Sequence, residues 1–321
     1  MFINTLLNAL PGVVAQGLIW SIMAIGVYIT YKILDVADLT VDGTMCTGGA
    51  VFIMLVTGGW NPWPALVAAF LAGMAAGLVT GLLHTACGIP AILAGILTQL
   101  ALYSVNLRIM GQSNRPISVD KYPLLVSARN VREAALSNPI LVCVLFTAAT
   151  IGALYWFFGT EQGCAVRATG ANPNMARAQG INTNFTTVLG LMLSNGLVAL
   201  SAALLAQYQG FADVNSGRGA IVIGLAAVII GEVLFSKVFR NFALKLLAVV
   251  FGSLIYYLVY QVVILLGLKS DDMKLITALI VALFLAVPYW KGRYFTKRTG
   301  KGAGSHCLLY TSDAADDESI V

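Results

Sequence analysis

The chain has 321 residues, of which 59% are apolar and 10% charged, and its net charge is +5. A water-soluble domain carries about 25% charged residues, so this chain lacks the polar groups to cover a globule of its size. A soluble enzyme, a nucleic-acid binder and a disordered protein are excluded, and a mean hydropathy of +0.85 leaves a polytopic membrane protein.

A helix crosses a bilayer with about 20 mainly apolar residues. Hydropathy predicts nine such segments: 12–34, 43–58, 64–86, 89–110, 139–159, 184–208, 219–235, 245–267 and 273–290. The expected fold class is all-α, a polytopic transmembrane helical bundle of about 8–10 spans within residues 1–295. Two segments, 43–58 and 219–235, are short and glycine-rich. That is the pattern of broken or re-entrant helices that line a pathway. The first lysine is Lys32, and no basic n-region precedes the first apolar run, so a cleaved signal peptide is not expected.

Asp35, Asp38 and Asp42 follow the first span, with Thr40 and Gly43 among them. Ionisable groups at membrane depth are costly and mark pathways. Capping the half-helix that follows is the structural alternative, because an anion meets its positive end. Asp213 and Asn215 precede the other short segment in Ala212-Asp213-Val214, which echoes Ala37-Asp38-Leu39. The echo hints at an internal duplication of the kind common in transporters. Gly73, Gly77 and Gly81 form overlapping small-xxx-small patterns. They predict close packing of one span on another, with a dimer contact as the second reading. His84, alone near a span end, reads as interfacial rather than catalytic. Asn106, Arg108, Gln112, Asn114 and Arg115 crowd the end of the fourth span, either to anchor the interface or to receive a soluble partner. Glu232 ends the seventh segment, as an interfacial carboxylate or as part of a pathway floor.

The polar stretch 160–183 reads as a loop holding one short helix. Asn172 suits its N-cap, Pro173 its first position and Gly180 its exit. A helix of about two turns is not stable alone in water, so it needs a partner to dock on. If this loop and the C-terminus are cytoplasmic, Lys32, Arg167, Arg177, Lys237, Arg240, Lys245 and the five cations from Lys291 to Lys301 lie inside, 11 of the 19 against 8 outside, a modest bias in the positive-inside direction. Nine spans then place the N-terminus outside. From Gly302 to Val321 the chain turns polar and acidic after a basic tail. That stretch reads as adapter-derived sequence and is set apart from the fold.

Several chemistries find no residues. Cys46, Cys87, Cys143, Cys164 and Cys307 are scattered, with no spacing that suits zinc or a disulfide framework. Gly300-Lys301 is followed by Gly302, so there is no P-loop. Gly217-Arg218-Gly219 lies in no βαβ unit. Neither a catalytic set nor a bound cofactor or metal is expected.

The run Arg167-Ala168-Thr169-Gly170-x-Asn172-Pro173-x-x-Ala176-Arg177-x-x-Gly180-Ile181-Asn182 resembles the cytoplasmic loop of permease subunits of bacterial ABC importers, in the branched-chain amino acid/ribose branch. Asp38-Leu39-Thr40-Val41-Asp42-Gly43 is similar to the segment after the first span in that branch. The runs from Pro90 to Thr98 and from Gly224 to Glu232 resemble a less characterised subgroup paired with periplasmic or lipoprotein substrate-binding proteins. The likeness covers about residues 10–295. It implies a multi-pass protein of the bacterial inner membrane that translocates an amino acid or another small polar solute. It implies a permease homodimer, a separate ATP-binding cassette ATPase that binds the ATP, a binding protein on the outer face, and no nucleic acid. By the resemblance, Asn172 and Pro173 start a coupling helix that includes Ala176, Gly180 ends it, and Arg177 faces the ATPase. Arg167 and Gly170 are counted with that coupling helix. Asp38, Thr40, Asp42, Gly43, Asp213, Asn215 and Glu232 are the pathway candidates. The alternatives are an ion-coupled secondary transporter, which would use the aspartates and Glu232 for coupling, and an export permease or membrane scaffold.

Overall fold

A computed structural model describes residues 2–118, 121–122, 124–128, 138–235 and 241–265, with 275, 278–279, 281–283 and 286. The expected span 273–290 and the stretch 302–321 therefore lie wholly or largely outside the described residues. The fold below is that of the unit Met1–Leu285.

Helix α1, Phe2–Tyr28, runs into a π-helical turn, Ile29–Ile33. Then follow α2 (Thr40–Thr57), α3 (Pro62–Thr85), α4 (Ala91–Met110), strand β1 (Asn114–Pro116) and α5 (Pro139–Gly159). Two short helices come next, α6 (Glu161–Ala171) and α7 (Pro173–Ala178), before the long α8 (Thr183–Gln209). Strand β2 (Phe211–Asp213), α9 (Ala220–Phe235) and α10 (Phe242–Leu265) complete it. Among the described residues, seven helices are long and apolar enough to cross a membrane, and α9 is a shorter apolar helix. The helical bundle is thus the expected architecture, but of the two segments expected to be short only 219–235 is: α2 runs for 18 residues and is long enough to cross.

Local chemistry sets the boundaries. Asn138 accepts a hydrogen bond from the Ile140 amide, and Pro139 opens α5. Asn182 accepts from the Phe185 amide at the start of α8. These side chains satisfy amides that a helix leaves unpaired. Gly210, at φ +78°, ends α8 in the left-handed conformation that glycine takes without strain.

Helices α1, α2 and α8 are the buried centre, while α3, α4, α5 and α10 keep much of their surface open. The open faces carry Leu71, Leu82, Leu145 and Trp156, which suit lipid. Between helices in lipid, tight packing replaces the hydrophobic drive. The three glycines of α3 provide it. A Cβ at Gly73 would overlap the Asn195 carbonyl, one at Gly77 the Leu191 backbone, and one at Gly81 would press on Val188. The small face is span-to-span packing of α3 on α8.

One end of the bundle joins the start of α1 to the end of α8, where Gly12 meets Tyr208. There β1 and β2 pair antiparallel, with Arg115 opposite Ala212. The opposite end carries α6 and α7, and there Gly170 meets Ile33. The N-terminal end of α1 therefore lies on the face opposite the polar 160–183 stretch.

Two expectations are corrected. The 160–183 stretch is mostly helical: α6 precedes the short helix, because Thr160 caps it by accepting from the Gly163 amide at 3.4 Å. Asn106 is not a surface group at a span end. It is fully buried and its Nδ2 reaches the Gly43 carbonyl at 3.5 Å, while Asn114 and Arg115 are tied into the β-ladder.

Candidate functional site

At the polar end, Asn172 accepts hydrogen bonds from the Asn174 and Met175 amides at 3.1 and 3.0 Å, and Pro173 is the first residue of α7. Gly180 leaves the helix at φ +81°. Ala176 is buried beneath it. The rest of α7 is exposed, including Met175 at 63%. Arg177 is exposed too, and its Nε donates to Thr183 Oγ1 at 2.8 Å. A six-residue helix cannot hold itself together, and this one is pinned only along one edge.

Arg167 and Gly170 belong to α6 rather than to that helix. Arg167 lies over the Phe242 ring at 5.7 Å. It lines a cavity of about 550 Å³ with Tyr28, Lys32 and Lys245. A Cβ at Gly170 would overlap the Ile33 carbonyl oxygen, so α6 rests directly on the π-helical turn. Thr169 and Thr186 share a 2.7 Å hydrogen bond that fastens α6 to α8. Glu232 pairs with Lys32 at 2.7 Å, both about half exposed.

The π-helical turn feeds the link 34–39, in which Asp35 takes φ +55° and is exposed. The link returns into the bundle, where Asp38 is buried at 2% exposure. Asp38 Oδ1 accepts from the Thr40 amide at 2.9 Å, and Oδ2 accepts from Asn195 Nδ2 at 2.7 Å. Asn195 Oδ1 accepts in turn from the Thr44 hydroxyl. The Thr40, Thr80 and Thr98 hydroxyls continue the network at 2.7 and 2.9 Å. This buried chain ties α2 to α3, α4 and α8. A carboxylate taken out of water is tolerated when its lone pairs are filled in this way.

One turn further, Asp42 caps a helix that is not its own. Its two carboxylate oxygens accept from the Gly219 and Ile221 amides at 2.9 and 3.0 Å, at the start of α9. Those amides have no partner within α9, and the helix dipole favours the anion. Cys46 donates its thiol to the Val214 carbonyl at 2.9 Å, and a Cβ at Gly217 would overlap the Asp42 carbonyl. The 214–219 turn is thereby held against α2. Gly43 lets α4 approach at Gln99 and Leu102. Helices α2 and α9 thus begin at one junction.

Asp213 and Asn215 are not drawn into that junction. They close a partly exposed turn in which Asp213 accepts from the Asn215 amide at 2.8 Å, the same short-range bond that Asp38 makes to Thr40. Glu232 also lies apart, near the Lys32 end. Sequence reasoning missed Asn195, whose only signal was an amide in the middle of an apolar span. It also missed Arg218 and Tyr103 beside Asp42.

Residues 10–288 match the family described as branched-chain amino acid transport system / permease component. The chain belongs to that family. The permease is 42% identical over 280 residues to the tyrosine transport system permease protein of Clostridioides difficile (strain R20291), covering 87% of this chain and 91% of the relative. It is 24% identical over 283 residues to the ribose import permease protein RbsC of Escherichia coli (strain K12), covering 88% and 85%. Its fold is similar to a chain of PsaBC from Streptococcus pneumoniae in complex with Fab, at a TM-score of 0.53 and 16% identity, covering 91% of this chain and 98% of that one. The permease is accordingly an ABC importer subunit and a multi-pass inner-membrane protein.

Proposed function

We propose that the permease carries an aromatic amino acid, with tyrosine the first candidate, and that it couples to an ATP-binding cassette ATPase through α7. The 42% identity to a tyrosine transport permease over most of both chains carries the substrate reading. The coupling reading rests on an exposed, capped, six-residue helix at the polar end. Arg177 and Met175 are the side chains it offers to a partner. The ATP is bound by that partner, and a substrate-binding protein delivers the solute to the opposite face. Two copies of the permease enclose the pathway.

The contacts suggest how the push travels. A force on α7 passes to α6, which rests on the Ile33 carbonyl through Gly170. The π-helical turn and the link 34–39 lead from there to the start of α2. Asp42 fastens α2 to α9, so the two helices move together. The solute itself biases the cycle only by binding the outward and inward states unequally.

The ion-coupled alternative needs carboxylates free to exchange a proton or sodium. Asp38 and Asp42 are instead engaged by backbone amides and Asn195, which favours the importer. The test is co-purification with the neighbouring ATPase, followed by ATP hydrolysis in lipid with and without a binding protein loaded with L-tyrosine. Stimulated hydrolysis is expected. A permease that purifies alone and transports on an ion gradient would overturn the reading.

A further inference from the structure

Beside the α2–α9 junction lies a cavity of about 310 Å³, open on one side and lined by Asp42, Gln99, Tyr103, Asn106 and Arg218, with Leu100 on its wall. Gln99 to Asn106 occupy the middle and second half of the 20-residue helix α4. The cavity therefore lies at the level of the hydrocarbon. Lipid tails cannot solvate a guanidinium, a carboxylate and two amides, so its mouth faces water or protein, as a translocation pathway does.

Two groups in it have unspent capacity. Asn106 is 0% exposed, and its Oδ1 has no hydrogen-bond partner among the described residues. Its Nδ2 faces the Gly43 carbonyl, and exchanging the amide atoms would set oxygen against oxygen, so Oδ1 is the free acceptor. A buried acceptor without a donor is costly and points to a missing one. Arg218 is exposed, and among the described residues the sole ion pair is Lys32–Glu232. Asp42 beside it is committed to α9. Tyr103 and Leu100, 42% and 64% exposed, add an apolar wall.

We propose that this cavity is a holding site on the pathway for a zwitterionic α-amino acid, a proposal that rests on the importer reading above. Arg218 pairs with the carboxylate in a forked arrangement, the side chain lies on Tyr103 and Leu100, and the ammonium draws the buried Asn106 amide outward so that Oδ1 accepts from it. The volume is at the lower end for small-molecule sites, about 300–1,000 Å³, which suits one amino acid and not a peptide. A neutral sugar would leave the guanidinium without its anion.

The test uses the permease with its ATPase and binding protein in liposomes, and reads radiolabelled L-tyrosine taken up per ATP hydrolysed. Complexes that neither hydrolyse ATP nor transport drop out of that ratio, and hydrolysis measured without binding protein is subtracted to remove uncoupled turnover. Arg218→Gln is expected to lower it about tenfold, since a site built for a polar partner discriminates strongly, while Arg218→Lys, which keeps the charge and loses the fork, lowers it less. Tyr103→Ala lowers it as well. An unchanged ratio in Arg218→Gln overturns the site while the importer reading stands. A parent complex with no ATP-driven uptake overturns the importer reading and the site with it. A second measurement needs no binding protein. Leu100→Cys, with Cys46, which also lines the cavity, changed to alanine and Cys87, Cys164 and Cys307 to serine, is labelled by a methanethiosulfonate ethylammonium reagent. L-Tyrosine is expected to slow labelling and tyramine, which lacks the carboxylate, is not. Equal protection by both, or by neither, contradicts the assignment.

Discussion

Asp42 shows how one carboxylate can hold two helices. Its oxygens take up amides of α9, and its own backbone sits in α2. Removing the side chain leaves both amides unpaired at membrane depth. Asp42→Ala is expected to cost about 1–3 kcal/mol, seen as a lower Tm in detergent. An unchanged Tm would mean that water already serves those amides. Asp38→Ala should be at least as severe, because it strips Asn195 Nδ2 and the Thr40 amide together. Capping was legible in the sequence as a role for these aspartates. For Asp38 the helix capped is the one that follows. For Asp42 it is a helix more than 170 residues away, which no local pattern encodes.

At the scale of elements, α9 was legible because a glycine-rich segment too short to span stands out against longer ones, whereas α2 extends to a length that can cross. The spacing of Gly73, Gly77 and Gly81 announced a close contact, yet it did not say that α8 is the partner. Gly77→Leu drives a side chain into the Leu191 and Met192 backbone and should lower the detergent Tm by several degrees or abolish folding, since overpacking costs about 1–3 kcal/mol or more. A wild-type Tm would contradict the contact. The sequence reading took residues 161–171 for loop because their polarity hides a helix whose buried side is small, carried by Gly163, Val166 and Thr169. The π-helical turn has no sequence signal at all. It follows from the need to turn the chain from α1 into the link beneath Gly170.

For the whole molecule, the polar end and the α2–α9 junction are connected through α6, the π-helical turn and the link 34–39. On the proposed reading, that connection makes α7 the point where a partner acts on the junction. Met175→Asp alters only an exposed side chain of α7 and should leave the Tm unchanged while lowering ATP-driven uptake at least about tenfold, the loss expected when a central interface residue worth about 2 kcal/mol is removed. Arg177→Glu should act alike, with some loss of the tie to Thr183. The bundle, the family and the short capped helix at Pro173–Ala178 were all legible in the residues. The cavity beside the α2–α9 junction was not, because which span faces meet depends on long-range packing among helices of similar apolar composition. Only Asp42 and Gly43 of the candidates reach the cavity, alongside Gln99, Tyr103 and Arg218.

The most direct measurement is uptake of L-tyrosine into liposomes holding the permease, its ATPase and the loaded binding protein, with ATP supplied or withheld and ion gradients collapsed. The account predicts uptake that requires ATP and the binding protein and is lost in Met175→Asp. Uptake that persists without ATP on a proton or sodium gradient, unaffected by that substitution, would contradict it.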